Sequence, residues 1–215
     1  MPFTKRIIAG STLITLLPIL FGAVLYQQLP DRMPTHFAAD GSVTATMPKL
    51  AVVLGLPLIF VIINVIILVF MNADPKNKHL TGFPVAIIIA SLIPFITVAT
   101  MLMVDVLALG YRVQITTVVM FILGIVFIAI GLVLPKVDTS YTIGIRTPWT
   151  LSNRNNWRMV HRLGGRLFIG AGILLFGCAG FNHTPIFLTI LVIIILIVVI
   201  VPIVYSYLLW RQSNR

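Results

Sequence analysis

The stretch from Leu50 to Met71 reads LAVVLGLPLIFVIINVIILVFM, with no charge and one strongly polar side chain, Asn64. An α-helix rises about 1.5 Å per residue, so roughly 20 such residues cross the ~30 Å hydrocarbon core of a bilayer. This run is therefore expected to be a transmembrane helix. Working outward, five more segments read the same way: Ile7–Tyr26, Phe83–Leu107, Val113–Leu134, Leu167–Phe181 and Ile186–Trp210. The Leu167–Phe181 segment is short and holds Gly170, Gly172, Gly177 and Gly180, small residues that let helices approach closely in lipid. Lys5 and Arg6 precede the first run, but that run exceeds the apolar core of a secretion signal, so it is expected to remain as a helix.

Composition agrees. Of 215 residues, 59% are hydrophobic and 9% charged, against roughly 25% charged in a soluble domain. Such a chain cannot cover a globule with water-facing groups. The expected class is an all-α integral membrane protein: a six-transmembrane-helix bundle with a structured extracellular loop and a cytoplasmic amphipathic helix. Two halves are expected: residues 1–112 with three spans and the outer loop 27–49, and residues 113–215 with three spans and the inner loop 135–166.

Fifteen Lys and Arg face five Asp and no Glu, a net charge of +10. Direct nucleic-acid binding is not expected, because basic residues collect in the cytoplasmic loops of membrane proteins. Twelve of the fifteen fall on one side of the alternating connections, leaving Arg32, Lys49 and Arg112 on the other. Both termini are thus expected in the cytoplasm. Cys178 is the single cysteine and forms no internal disulfide.

Candidates for chemistry are few. No two histidines are spaced as H-x-x-x-H, and no serine sits in G-x-S-x-G or S-x-x-K. His36 with Asp31 and Asp40 offers three candidate ligands in a turn-rich loop, where structural zinc takes four. The alternative is a surface histidine satisfied by the loop. Neither a catalytic residue, a metal nor a cofactor is expected. Among intramembrane polar groups, Asp105 reads as an interfacial ion pair with Arg112 and Asn64 as a bond between helices, rather than as a transport path.

The inner loop says more. Ser152 is placed to cap a helix through Arg166, on which Arg154, Arg158, Arg162 and Arg166 form one basic stripe. Trp157, Val160, His161, Gly164 and Phe168 form a mostly apolar second face. Such a helix either lies in the interface with its arginines toward anionic lipids or leads directly into the fifth span; its stripe could also dock a cytoplasmic protein. Gly164 and Gly165 are expected to allow a bend. Thr147, Pro148 and Trp149 should break any preceding helix. Arg146 should reach a headgroup phosphate or backbone carbonyls, and His161 should be a buried hydrogen-bonding group.

The run IGIRTPWTL from Ile143 to Leu151, including Gly144, Arg146, Thr147, Pro148 and Trp149, followed by Trp157 and HRLGG from His161, resembles the signature of the SdpI family. Leu29-Pro30, then Pro34-Thr35-His36-Phe37 and Gly41, resemble the domain preceding that signature. Departures are Leu132 and Ser140, where asparagine is usual, and Val160, where threonine is. The resemblance implies a bacterial plasma-membrane immunity protein against a secreted, membrane-active peptide toxin, and in some arrangements one that holds a cytoplasmic repressor at the membrane. The alternative is a transporter or exporter of a peptide or lipid-like substrate. A toxin arriving from outside would meet Asp31, His36, Phe37, Asp40, Tyr26 and Tyr111, groups suited to an amphipathic peptide or, equally, to folding the loop over the helix ends. Gly144 to Trp149, with Arg154, Trp157, Arg158, His161 and Arg162, would form the inner platform and partner surface.

Overall fold

A computed structural model describes residues 3–38, 41–79, 83–180 and 184–213. The chain is a multi-pass membrane protein. Among the described residues, six helices are long and apolar enough to cross a bilayer. They are α1 (Lys5–Leu25), α2 (Ala51–Ala73, whose first five residues are π-helical), α3 (Phe83–Ala108), α4 (Ile115–Val133), α6 (Arg154–Cys178) and α7 (Thr184–Ser213). A five-residue α5 (Pro148–Ser152) sits between α4 and α6. Large apolar side chains such as Leu13, Ile62 and Val192 are more than half exposed, which suits lipid and would be costly in water.

The helices pack in a chain of neighbours: α1 on α2 and α3, α3 on α4, α4 on α6, and α6 on α7. Asn64 stitches the first three, as the sequence implies. Its Nδ2 donates to Ser11 Oγ at 2.8 Å, and Ser11 Oγ donates to the Ala90 carbonyl at 2.7 Å. The α4–α6 seam is the tightest. A Cβ on Gly131 would lie 2.7 Å from the Gly165 carbonyl oxygen, and one on Gly172 2.6 Å from that of Gly124. Of the four glycines expected to pack in the fifth span, Gly172 does, while Gly170, Gly177 and Gly180 face open space.

Two expectations need correction. The inner amphipathic stretch leads directly into the fifth span as one helix, the second of the two readings above, and Gly164 and Gly165 lie within it rather than at a break between a surface helix and a span. Those glycines pack instead, Gly164 against Ile145 and Gly165 against Pro135 and Gly131. The helix also starts one residue later than Ser152 suggests. Asn153 is its cap, accepting from the Asn155 and Asn156 N–H groups at 2.8 and 3.1 Å, while Ser152 ends α5.

At one end of the bundle the chain after α1 forms an antiparallel hairpin, β1 (Arg32–Phe37) and β2 (Val43–Pro48). Met33 and Leu29 anchor it among Val52, Val53, Met101 and Val104. The opposite, arginine-rich end holds Phe3, buried against Leu68 and Met71, together with everything from Leu134 to Arg162.

Candidate functional site

At the arginine-rich end, residues 137–152 fold back on α6 and α7 as a compact polar unit. Gly144 is its tightest point. Its φ of +108° is a conformation that favours glycine, and a Cβ there would run into His161 Nε2 and come 3.0 Å from the Trp157 ring. That close approach lets the Ile145 N–H donate to His161 Nε2 at 2.9 Å. Nε2 must therefore be the bare nitrogen, and Nδ1–H donates to the Trp157 carbonyl at 2.8 Å. The imidazole stacks on the Trp157 indole, centroids 3.9 Å apart, while the indole N–H donates to the Val137 carbonyl at 2.8 Å. His161 is the buried hydrogen-bonding group expected, with both ring nitrogens occupied.

Thr147 is extended and caps α5, with Pro148 in the first turn. Thr147 and Thr150 cap each other, Thr147 N–H to Thr150 Oγ1 at 2.8 Å and the reverse at 3.1 Å. Thr147 Oγ1 meets Ser206 Oγ of α7 at 2.9 Å, and Ser206 Oγ donates to Asn156 Oδ1 at 2.9 Å. Asn156 Nδ2 completes the ring by donating to the Ser206 carbonyl at 2.8 Å. Trp149 lies against Tyr207 and Trp210. Arg146 donates to the Tyr141 carbonyl, closing the loop on itself rather than reaching a span.

A second knot was not foreseen. Asp74, at the end of α2, is 6% exposed. Its Oδ2 accepts from the Tyr141 and Thr142 N–H groups at 2.8 and 3.0 Å and from the Ser140 and Thr142 hydroxyls at 3.0 Å. Oδ1 accepts from the Lys76 N–H at 2.9 Å. Burial alone would push this carboxyl up, but the hydrogen bonds from the Lys76 and Tyr141 N–H groups and the Ser140 and Thr142 hydroxyls outweigh it and hold the pKa below the ordinary 3.8. Asn77 donates to the Met71 carbonyl and to Thr142 Oγ1. The knot ties α2 to a loop 66 residues away. Its one sequence signal is a lone acid in a basic connection.

Arg154, Arg158 and Arg162 are exposed along α6. Arg154 Nη2 lies 3.2 Å from Asp138 Oδ1.

At the hairpin end the expected residues are spread out. Lys49 joins two of them, 3.2 Å from Asp31 Oδ1 and 4.7 Å from the centre of the Tyr26 ring. His36 is exposed, its Nδ1 3.2 Å from Thr35 Oγ1, and Phe37 beside it is half-buried. Asp31, just before β1, and His36, inside it, stand five extended residues and roughly 16 Å apart, too far to share a metal ion. Asp40 lies outside the described residues. Tyr111 is exposed past the Gly110 turn. The expected ion pair of Asp105 with Arg112 does not form. Asp105 is 3% exposed with Oδ1 unpartnered, while Arg112 is exposed. The side chain of Asp105 turns into the bundle and that of Arg112 turns away from it.

Comparisons with known proteins bear on both ends. Residues 136–206 match the model of the SdpI/YfhL protein family, a span that begins at Lys136 and ends at Ser206 of the polar ring. Residues 13–61, which enclose the hairpin, match a domain of unknown function, DUF1648. The Immunity protein SdpI of Bacillus subtilis (strain 168) is 26% identical over 190 residues, 85% of this chain and 86% of that relative. No solved structure matches. The signature run is thus folded into one network inside the region, residues 136–206, that is similar to the SdpI/YfhL protein family.

Proposed function

We propose that this chain is a non-enzymatic immunity protein that protects its cell from a secreted, membrane-active peptide toxin. The observation that carries the reading is its likeness to the B. subtilis immunity protein, which runs over 85% of the chain and so takes in both ends of the bundle. The hairpin end is the outer one, because twelve of the fifteen basic residues belong to the other. An impermeant thiol reagent should therefore label a cysteine at Ser42 from outside and not one at Ser213.

In this reading the halves 1–112 and 113–215 divide the work. The toxin meets Asp31, His36, Phe37, Asp40, Tyr26 and Tyr111, since aromatic and charged groups near the interface suit an amphipathic peptide. The inner signature, Gly144 to Trp149 with Trp157 and His161, is a rigid platform. Exposed Arg154, Arg158 and Arg162 face anionic lipids, and a cytoplasmic repressor that docks here would use the same stripe. The test is survival under toxin challenge with and without the protein. Equal killing would contradict immunity. Export, the alternative that the unpartnered Asp105 favours, would show as transfer of labelled toxin across inverted membrane vesicles. Binding or shielding would not.

A further inference from the structure

We propose that the wedge between α2 and α4, on the face of α3, holds one acyl chain of a membrane phospholipid. Among the described residues, α2 and α4 each pack on α3 but not on each other, and a cavity of about 330 Å³ lies between them. Ile67 and Met71 of α2, Ile89 and Ile93 of α3, and Ile130 and Leu134 at the end of α4 form its sides. Residues 142–144 of the signature loop form its floor. A void of about 150 Å³ already takes a benzene ring, so this one has room for a stretch of a single chain.

The walls select hydrocarbon. Every side chain that the spans contribute to the cavity is apolar, and a buried water needs roughly two to four polar partners. The donors of the floor are already spent. The Thr142 hydroxyl donates to Asp74 Oδ2 at 3.0 Å and accepts from Asn77 Nδ2 at 2.7 Å. The Thr142 and Ile143 N–H groups donate to Asp74 Oδ2 and Ser140 Oγ, each at 3.0 Å. An extended peptide entering here would bury its own N–H and C=O groups without partners, which is costly. An acyl chain carries no such groups.

The cavity also continues a surface that lipid covers. Ile67 on its rim is 40% exposed, and Ile63, Ile66 and Phe70 beside it are exposed apolar side chains of the same membrane span. Ile93 lies ten residues beyond Phe83 along α3, a rise of about 15 Å, the depth of one leaflet's hydrocarbon. A chain from the leaflet at the arginine-rich end therefore reaches from the floor to Ile93. It supplies the dispersion contacts that an empty wedge would forgo, joins α2 to α4, and lies against Ile143 and Gly144 of the signature loop.

The test reconstitutes the full chain with phosphatidylglycerol carrying a diazirine on one acyl chain, exchanges it into detergent, irradiates it and maps the adducts by mass spectrometry. Lipid on open faces should wash away while a chain in the wedge stays. After exchange, adducts at Ile89 and Ile130 should exceed those at Ile62 and Val192, exposed apolar positions outside the cavity, by roughly tenfold. Phosphatidylcholine with the same labelled chain should give the same pattern, because the chain and not the headgroup is held. Ile93→Phe and Ile130→Phe, which fill the wedge from two walls, should unfold at the wild-type Tm or above and lose the Ile89 adducts. Ile62→Phe should keep them. Equal loss from all four positions in the wild type, or Ile89 adducts retained in both filled variants, would overturn the site; the wild-type comparison decides it even where a filled variant does not fold. Retention of phosphatidylglycerol alone would overturn the acyl chain as the group recognised.

Discussion

Asp74 and Asp105 are both buried carboxylates near the end of a long apolar helix, and they are treated in opposite ways. Asp74, at the arginine-rich end, accepts five hydrogen bonds from Lys76 and the Ser140–Thr142 loop. Asp105, at the hairpin end, is more deeply buried, yet its Oδ1 has no partner. A buried polar group without a hydrogen bond costs stability, while a satisfied network specifies one structure. The contrast assigns architecture to the arginine-rich end. At the hairpin end it leaves an unmet acceptor, Asp105 Oδ1, at the same end as the groups proposed to meet the toxin.

The largest effect should come from emptying the Asp74 knot. Asp74→Leu leaves two hydroxyls and three N–H groups short of an acceptor and should cost on the order of 4 kcal/mol. Membrane abundance and thermal unfolding would read this as near-complete loss of folded protein. Gly144→Ala comes next, at about 3 kcal/mol. It needs a strained φ and pushes Trp157 and His161 apart, and normal abundance in that variant would show that the signature loop can shift freely. Asp105→Asn should move the other way, raising stability by roughly 1 kcal/mol, because a neutral amide is cheaper to bury than an unpartnered carboxylate. A destabilised Asp105→Asn would mean that the carboxylate has a partner in the membrane, and the comparison would fail.

The smallest effect is the pH dependence of the Asp74 knot. Its folded pKa lies below the unfolded 3.8, so its contribution is complete above that value and fades as pH falls through the folded one. Unfolding followed across the acid range should show a loss below pH ~4 that is blunted in Asp74→Asn. A loss of equal depth in the variant would place the acid sensitivity elsewhere.

Much of this was legible in the sequence, for reasons that differ by element. The apolar runs around Asn64 and Pro94 announce their helices because a bilayer admits few alternatives to a saturated backbone. The run from Arg154 to Arg166 hides its helix. Its arginines lower the mean hydropathy of that span's most apolar window to 1.3, against 3.3 for α7, so the fifth span reads as starting near Leu167. The hairpin is masked by Pro30, Pro34 and Pro48, which read as turns although Pro34 and Pro48 stand inside edge strands where a missing N–H does little harm. His161, Thr147 and Trp149 are recognisable from the signature run. Their partners Ser206 and Asn156, like the Asp74 knot, are not, since each pairs groups about 50 or more residues apart that no local spacing connects.

The division between a structural end and a recognition end is tested most directly by toxin survival measured at matched membrane abundance. His36→Ala/Phe37→Ala should reach normal abundance and lose protection, whereas Arg146→Ala and Trp149→Ala should lose abundance and protect in proportion to what remains. Full protection by the His36/Phe37 variant, or unprotected cells at normal abundance of the Arg146 variant, would contradict the account.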